Sequence, residues 1–277
     1  MKPDLLVGVD FSGDVGRWRA SSRRPSVWIA TGHTNEKGLH CTGLCAVQQL
    51  PGTEHPFNRL SRFLANAFSR YAAIDAPFSV PFSIAKDAET VWKRVLDLAP
   101  NGRPFAKGQA LVEALAPQLA PRGAKIMRLT EKYWQDKGVN VRSTMWAGPR
   151  GGAPFTVACM TLLARHDGPV WPLRFSPKGC MLIEGFPAGQ LRQWGQPHFG
   201  YNGPAGGAVA RRTSLLDWMQ GERGLRLSAD DRCICISSAD ALDAVICMYA
   251  AAAVREGRLA MTTPEYAVSE GLIAVHA

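Results

Sequence analysis

Short apolar runs alternate with longer amphipathic stretches along the chain, a pattern typical of an α/β protein. The runs that predict strands lie at residues 5–9, 27–31, 43–48, 71–74, 180–183 and 233–236. The stretches that predict helices lie at 57–71, 88–98, 108–119, 155–165, 214–220 and 239–254. Segments 190–200 and 203–207 are too rich in Gly, Pro and Gln to predict one regular element. The order predicts a meander of three strands, followed by strands that alternate with helices.

Three of the predicted strands end in an acidic residue, namely Asp10, Asp75 and Glu184. In an open sheet, ligands collect at the carboxyl ends of the strands, so acids on neighbouring strands would converge there. Asp75 is followed by Ala-Pro, which stops its strand and leaves the acid at the tip. A single Asp after a strand is more often a turn former or a helix cap. The pattern therefore leaves a structural and a functional interpretation open.

A pair of aspartates three residues apart, Asp240 and Asp243, opens the predicted helix 239–254. That spacing places both on one side of the helix, among apolar neighbours that limit their solvation. Asp240 alone would fit a helix N-terminus, where the helix dipole favours an acid. Together the carboxylates favour a divalent metal, and hard oxygen ligands suit Mg²⁺ or Mn²⁺. Two such ions would activate a water and stabilise the leaving oxygen of a phosphodiester.

Positive charge is concentrated in the middle of the 277-residue chain, which has a net charge of +9 and a pI near 9.4. Between Lys93 and Arg150, basic residues outnumber acidic ones by seven. The charge favours an anionic partner, with nucleic acid the leading candidate. Scattered tryptophans, which could stack on bases but more commonly pack in a core, lie at positions 92, 134, 146, 171, 194 and 218. We expect one domain over 1–277, enlarged by a basic helical insertion at about 85–170.

Several other classes lose their main sequence signals. The seven cysteines have no C-x2-C pair and the six histidines no H-E-x-x-H spacing, so zinc is not indicated. Signatures of P-loop NTPases, dinucleotide-binding domains and α/β-hydrolases are also missing from the sequence. The longest charge-free stretch near the C-terminal end, 244–254, is too short to span a bilayer, and Asp4 interrupts any signal-peptide core. We expect a cytoplasmic protein without membrane association.

Five segments together resemble a known family: Gly8-Val-Asp10-Phe-Ser-Gly13, Ile74-Asp75-Ala-Pro77, Ile183-Glu184-Gly-Phe-Pro187, Ala239-Asp240-Ala-Leu-Asp243-Ala244 and Glu270-Gly-Leu-Ile273. They resemble the family catalogued as domain of unknown function 429, regarded as predicted nucleases of the RNase H-like superfamily. The resemblance spans nearly the whole chain. It implies an α/β fold with a five-stranded mixed sheet, three of its strands antiparallel, flanked by helices.

The resemblance also implies roles for individual residues. The metal-binding and catalytic acids would be Asp10, Asp75, Asp240 and Asp243, with Glu184 as a fifth metal ligand. Arg128 and Glu131 lie in an Arg-x-Thr-Glu segment similar to one in the family, which implies a phosphate or substrate contact; an exposed helix surface is the alternative. The turn after Asp10 departs from the family's Gly-Cys-Arg-Gly-like pattern, and Ser12 there could offer its hydroxyl to substrate or metal.

The function we predict is a nuclease that hydrolyses phosphodiester bonds of DNA or RNA with two Mg²⁺ or Mn²⁺ ions. One alternative is an actin-like or sugar-kinase-type ATP-dependent enzyme, which shares the core. The length of 277 residues counts against it, as does the lack of a second phosphate-binding Gly-rich turn. The other alternative is a nucleic-acid-binding protein without catalysis, in which the acids are structural.

Overall fold

A six-stranded mixed sheet forms the centre of the protein, with strand order β3-β2-β1-β4-β6-β5. The computed structural model describes residues 4–22, 25–65 and 69–277. The strands are β1 Leu5–Asp10, β2 Trp28–Asn35, β3 Gly38–Ala46, β4 Ser69–Asp75, β5 Val170–Trp171 and β6 Met181–Glu184. β1 to β3 form the predicted antiparallel meander, whereas β1, β4, β6 and β5 run parallel.

Helices cover both faces of this sheet. They are α1 Pro56–Ala65, α2 Ala88–Leu96, α3 Gly108–Leu115, α4 Leu129–Asp136, α5 Ala153–Ala164, α6 Pro187–Gln193, α7 Gly206–Glu222, α8 Ala229–Ser237, α9 Ala239–Glu256 and α10 Ala267–Glu270. In the described part of the chain, no single helix is both long and apolar enough to span a membrane. α8 and α9 meet that criterion only as a pair bent by 116°.

Two strand predictions need correction. The sheet has six strands rather than the five that the resemblance implies, because Val170–Trp171 adds a short parallel strand between two prolines, too brief to leave a periodic pattern. The run 233–236 is helical and belongs to α8. The Ser228 hydroxyl accepts a hydrogen bond from the Asp231 backbone N–H, and this N-cap outweighs the strand-like alternation of Cys and Ile.

Helix bounds also differ from the predictions. The helix predicted at 57–71 ends at Ala65, and β4 begins at Ser69. The helical spacing of apolar residues continues by chance into the strand, so the pattern does not mark the end of the helix. The short helix predicted at 214–220 is the 17-residue α7. The segment 190–200, predicted to be irregular, contains the end of α6, which begins at Pro187. That proline occupies the first turn, where the missing N–H costs nothing.

Alternation along the strands separates two apolar cores. Val7, Val9 and Ile74 face the core shared with α1, α2, α3 and α5. The residues between them, among them Leu6 and Ala73, face the core built around α9. Residues of the segment 85–170, predicted to be an insertion, belong to the first core and so share it with the sheet.

α9 lies unusually close to the central strand β1. A Cβ at position 8 would be 2.7 Å from the Met248 nitrogen, and closer still to the Ala244 carbonyl oxygen. Only glycine allows this approach. Because Gly8 contacts the helix at Ala244, the first turn of α9 is brought to the carboxyl end of β1, where Asp10 lies.

Candidate active site

The carboxyl ends of β1 and β4 bring two aspartates side by side. Asp10 pairs in register with Asp75 across the parallel strands, which lie about 4.8 Å apart in such a sheet. Each aspartate is two residues beyond a residue that faces α9, Gly8 in β1 and Ala73 in β4. Because side chains alternate, both carboxylates lie on the α9 face. The prediction that the strand-tip acids of neighbouring strands converge is confirmed for this pair.

The first two turns of α9 supply the other two aspartates. The Ser238 hydroxyl accepts a hydrogen bond from the Ala241 N–H and fixes the start of the helix. Asp243 is buried, and its Oδ1 accepts a hydrogen bond of 2.8 Å from the Tyr201 hydroxyl. Asp240 lies one turn earlier and is less buried. All four aspartates line one cleft of about 800 Å³.

Burial and mutual repulsion disfavour the charged forms of these acids. Asp10 is 9% exposed; burial raises its pKa well above the usual range, and repulsion from Asp240, Asp243 and Asp75 raises it further. Burial likewise raises the pKa of Asp243, with repulsion from Asp75 the next cause, against the lowering effect of the Tyr201 hydrogen bond. The cleft therefore holds more buried negative charge than its protein partners neutralise.

Three of the four acids are near guanidinium groups, and Arg212 acts on Asp243 as well as on Asp240. Burial raises the pKa of Asp75 to about 7, although the positive charge of Arg142 lowers it. Burial also raises the pKa of Asp240, against the charges of Arg17 and Arg212. Arg17 and Arg142 are exposed and line the cleft. Cations therefore stand at the rim of the cleft, where an anionic substrate would enter.

Ser12 lies in the cleft beside Asp10, as the sequence suggested, but its hydroxyl also has a structural role. Ser12 Oγ accepts a hydrogen bond of 3.2 Å from the Asp14 N–H, and its carbonyl accepts one from the Trp18 indole. The next residue, Gly13, packs against the start of α5, since a Cβ there would lie 2.5 Å from the Phe155 nitrogen. The turn after Asp10 is thus held between the core and α5.

Glu184 lines the same cleft as the aspartates, but its carboxylate is bound by Arg128. Glu184 pairs in register with Ile74 and so lies on the opposite face of the sheet from Asp75. Its carboxylate accepts two hydrogen bonds from the Arg128 guanidinium, one of 2.8 Å, and a third from the Phe78 N–H. Glu184 is therefore a partner of Arg128, and it ties the end of β6 to the loop after Asp75.

Arg128 and Glu131 form the rest of this buried network. Arg128 is fully buried, which excludes the exposed helix surface, and its Nε donates to Glu131 at 3.0 Å. Burial raises the Glu131 pKa to about 7, against the charge of Arg128. Glu270, in the last of the resembling segments, accepts hydrogen bonds from the Phe82 and Leu129 N–H groups. The donors of Arg128 are bound to protein acceptors, so Arg128 holds the loop after Asp75 in place.

Sequence reasoning missed several residues of the cleft. His198 and Phe199 lie in the segment 190–200, which was predicted to be irregular, and Tyr201 follows it directly. Arg17 lies in a short 3-10 helix after the first strand. No spacing distinguishes them from other loop residues. Of the basic residues between 93 and 150, Arg128 and Arg142 line the cleft in the described part of the chain. The six tryptophans considered for base stacking do not line it, and Trp92, Trp134 and Trp194 are buried.

The chemistry of the donor set fits a hard divalent cation. Four carboxylates supply oxygen ligands of the kind that Mg²⁺ and Mn²⁺ prefer, and a cation would relieve their repulsion. Among the residues that the structure describes, no three His, Cys, Asp or Glu side chains already stand together as a metal-binding group. Metal binding thus requires these side chains to turn towards one another on a backbone that already pairs Asp10 with Asp75.

Comparison with known proteins identifies one family. A family model described as "Protein of unknown function (DUF429)" matches residues 8–267. Searches of curated proteins and of solved structures found no significant match. The matched range includes all four aspartates of the cleft as well as the network around Arg128, and it covers most of the sequence. The chain therefore belongs to the DUF429 family.

Proposed function

We propose that the protein is a nuclease that uses Mg²⁺ or Mn²⁺ to hydrolyse phosphodiester bonds of DNA or RNA on an RNase H-like fold. The observation that carries the proposal is the convergence of four aspartates, from β1, β4 and α9, in one cleft. Burial raises all four pKa values, and repulsion from neighbouring carboxylates further raises those of Asp10, Asp75 and Asp243, with Glu184 among the neighbours of Asp75. Such a site gains most from divalent cations, which are the cofactors of phosphodiester hydrolysis by two metal ions.

The architecture supports the fold assignment within this proposal. An antiparallel meander is extended on one side by parallel strands, and helices cover both faces. The acids come from the ends of neighbouring strands and from the first two turns of a helix packed across them. This is the arrangement that the family resemblance implies for an RNase H-like core, with one short strand added at the edge.

The aspartates of the cleft, the arginines at its rim and the residues that support them have distinct roles in the proposed reaction. Asp10, Asp75, Asp240 and Asp243 would hold the metal ions, whose chemistry is to activate a water and to stabilise the leaving oxygen. Arg17 and Arg142 at the rim would bind the phosphates on either side of the scissile bond. Tyr201 orients Asp243 through its hydrogen bond. The ion pair of Arg128 with Glu184 holds the loop that follows Asp75.

The test is a cleavage assay with labelled single-stranded, double-stranded, hybrid and branched substrates in EDTA, Mg²⁺ or Mn²⁺. The proteins compared are the wild type, Asp10→Asn and Asp243→Asn, with Asp136→Asn as the control because Asp136 is exposed and outside the cleft. We expect metal-dependent cleavage in the wild type and the control, and its loss in the two cleft variants.

Two other outcomes would identify the alternative functions. ATP hydrolysis without cleavage of any substrate would contradict the nuclease and favour the ATP-dependent enzyme. Tight binding of nucleic acid without cleavage, unchanged in both cleft variants, would favour a binding protein whose aspartates are structural. The family model names no activity, so these experiments decide among the three.

A further inference from the structure

An exposed aromatic ring lies at the cleft that holds the aspartates. Phe199 is 67% exposed and lines the cleft together with His198, Tyr201 and Asn202 from the same loop. Tyr201, two residues further on, hydrogen-bonds to Asp243. Packing does not explain why a large apolar side chain is exposed beside a charged site. Such a side chain provides a surface for an apolar part of a ligand.

The loop that carries Phe199 is held in place by hydrogen bonds at residue 199 and at residues before and after it in the chain. His198 Nε2 lies 3.3 Å from the Gly138 carbonyl, and Arg211 donates to the Phe199 carbonyl at 3.4 Å. The buried Arg212 donates to the Tyr201 carbonyl and, at 2.9 Å, to the Gly203 carbonyl. The ring is therefore presented to solvent from a fixed backbone, which lowers the entropy lost when a ligand stacks on it.

A second aromatic group lines the same cleft. The Arg142 guanidinium lies 5.1 Å from the centre of the Phe155 ring, and both residues line the cleft. Arg142 is also the cation that acts on Asp75. The cleft thus combines ring faces, which suit nucleobases, with a guanidinium group, which suits phosphate.

We infer that Phe199 stacks on an unpaired nucleobase, so that the substrate is single-stranded nucleic acid or an unpaired segment within a larger one. This inference rests on the proposed function and names its substrate class. In a duplex, the faces of each base are covered by the neighbouring base pairs, and a side chain can stack only on a base that has left the helix. A cleft of about 800 Å³ also lies within the size range of pockets that hold small ligands such as a nucleotide.

The experiment measures binding without catalysis. A single-stranded oligonucleotide carrying 2-aminopurine is titrated with protein in EDTA, and the fluorescence change reports stacking of the base. The variants are Phe199→Ala and Phe199→Trp. The control is Phe175→Ala, since Phe175 is 91% exposed and lies outside the cleft. The same sequence in duplex form is the second ligand.

We expect Phe199→Ala to bind the single strand about 5- to 150-fold more weakly, the range seen when a stacking aromatic residue is removed. Phe199→Trp should retain the affinity and the fluorescence change, and Phe175→Ala should match the wild type. The duplex should bind more weakly and respond little to Phe199→Ala. Equal affinities of Phe199→Ala and Phe175→Ala, or an equal loss on duplex and single strand, would overturn the inference.

The outcomes separate this inference from the proposed function. If fluorescence depends on Phe199 but no substrate is cleaved with any metal, the base-binding site stands and the nuclease proposal fails. If metal-dependent cleavage requires Asp10 but binding and cleavage are the same with and without the Phe199 ring, the nuclease stands and the stacking inference fails.

Discussion

Replacing Asp75 with Asn should stabilise the metal-free protein, and by more at alkaline than at acidic pH. Burial raises the pKa of Asp75 to about 7 in the folded protein, whereas an aspartate in an unfolded chain titrates near 3.9. Between these values the folded state binds more protons than the unfolded state, so stability is lost as pH rises through this window. Asn carries no charge and removes this dependence.

The size of the effect follows from the two pKa values. At about 1.4 kcal/mol per unit, ionising Asp75 in the folded protein costs on the order of 4 kcal/mol by pH 8. Part of that cost is already present at pH 5, so the gain from Asp75→Asn should be about 2–3 kcal/mol larger at pH 8 than at pH 5. Taking the difference between the two pH values removes any packing effect of the substitution that is independent of pH.

Urea unfolding, followed by tryptophan fluorescence in EDTA at pH 5 and pH 8, measures this difference. The matched control is Asp136→Asn, since Asp136 is exposed. Its free energy of unfolding should differ between pH 5 and pH 8 by the same amount as that of the wild type. Adding Mg²⁺ at a hundred times its Kd should stabilise the wild type at pH 8 by about 2.7 kcal/mol, and Asp75→Asn by less. A gain from Asp75→Asn that is the same at both pH values would refute the reasoning.

The other predictions concern the supports of the site. Arg128→Met leaves two buried glutamates without their cation and should lower the free energy of unfolding by about 3–5 kcal/mol; a loss below about 1 kcal/mol in urea unfolding would contradict the role of the network. Gly8→Ala would force β1 and α9 apart and should destabilise by about 1–3 kcal/mol. Gly221 lies in α7 with open space around it, so Gly221→Ala should instead raise the free energy of unfolding by up to about 1 kcal/mol. Equal effects of the two substitutions in urea unfolding would contradict the close approach of β1 and α9. Tyr201→Phe removes a hydrogen bond that lowers the pKa of Asp243; the acidic limb of the pH profile of cleavage should move to higher pH, because the carboxylate must ionise to bind metal, and an unchanged profile would show that Tyr201 has no such part.

The sequence was informative where a pattern depends on neighbours along the chain. Each of Asp10 and Asp75 ends an apolar run, so the two could be predicted to converge if their strands were neighbours in the sheet, which they are. Asp240 and Asp243 could be placed on one side of a helix by their spacing. The meander of the first three strands was predicted from the Gly- and Asn-containing segments that separate three apolar runs.

The rest depended on contacts between distant parts of the chain. Glu184 ends a strand just as Asp10 does, but the pairing register places it on the other face, against Arg128. The alternation at 233–236 favours a strand by itself, but Ser228, five residues before it, caps a helix that includes this run. Phe199 lies at the cleft because Arg211 and Arg212 of α7 hold its loop, and no local pattern reveals such a contact.

The central claim is that the four aspartates form a centre for divalent cations, and Mn²⁺ binding tests it most directly. Electron paramagnetic resonance of free Mn²⁺, measured while the wild type, Asp10→Asn, Asp243→Asn and Asp136→Asn are titrated at pH 8, gives the number of ions bound and their affinity. The proposal predicts about two ions per chain for the wild type and for Asp136→Asn, with at least one lost or greatly weakened in each cleft variant. Mn²⁺ that stays free in the presence of the wild type, or binds all four proteins equally, would contradict the account.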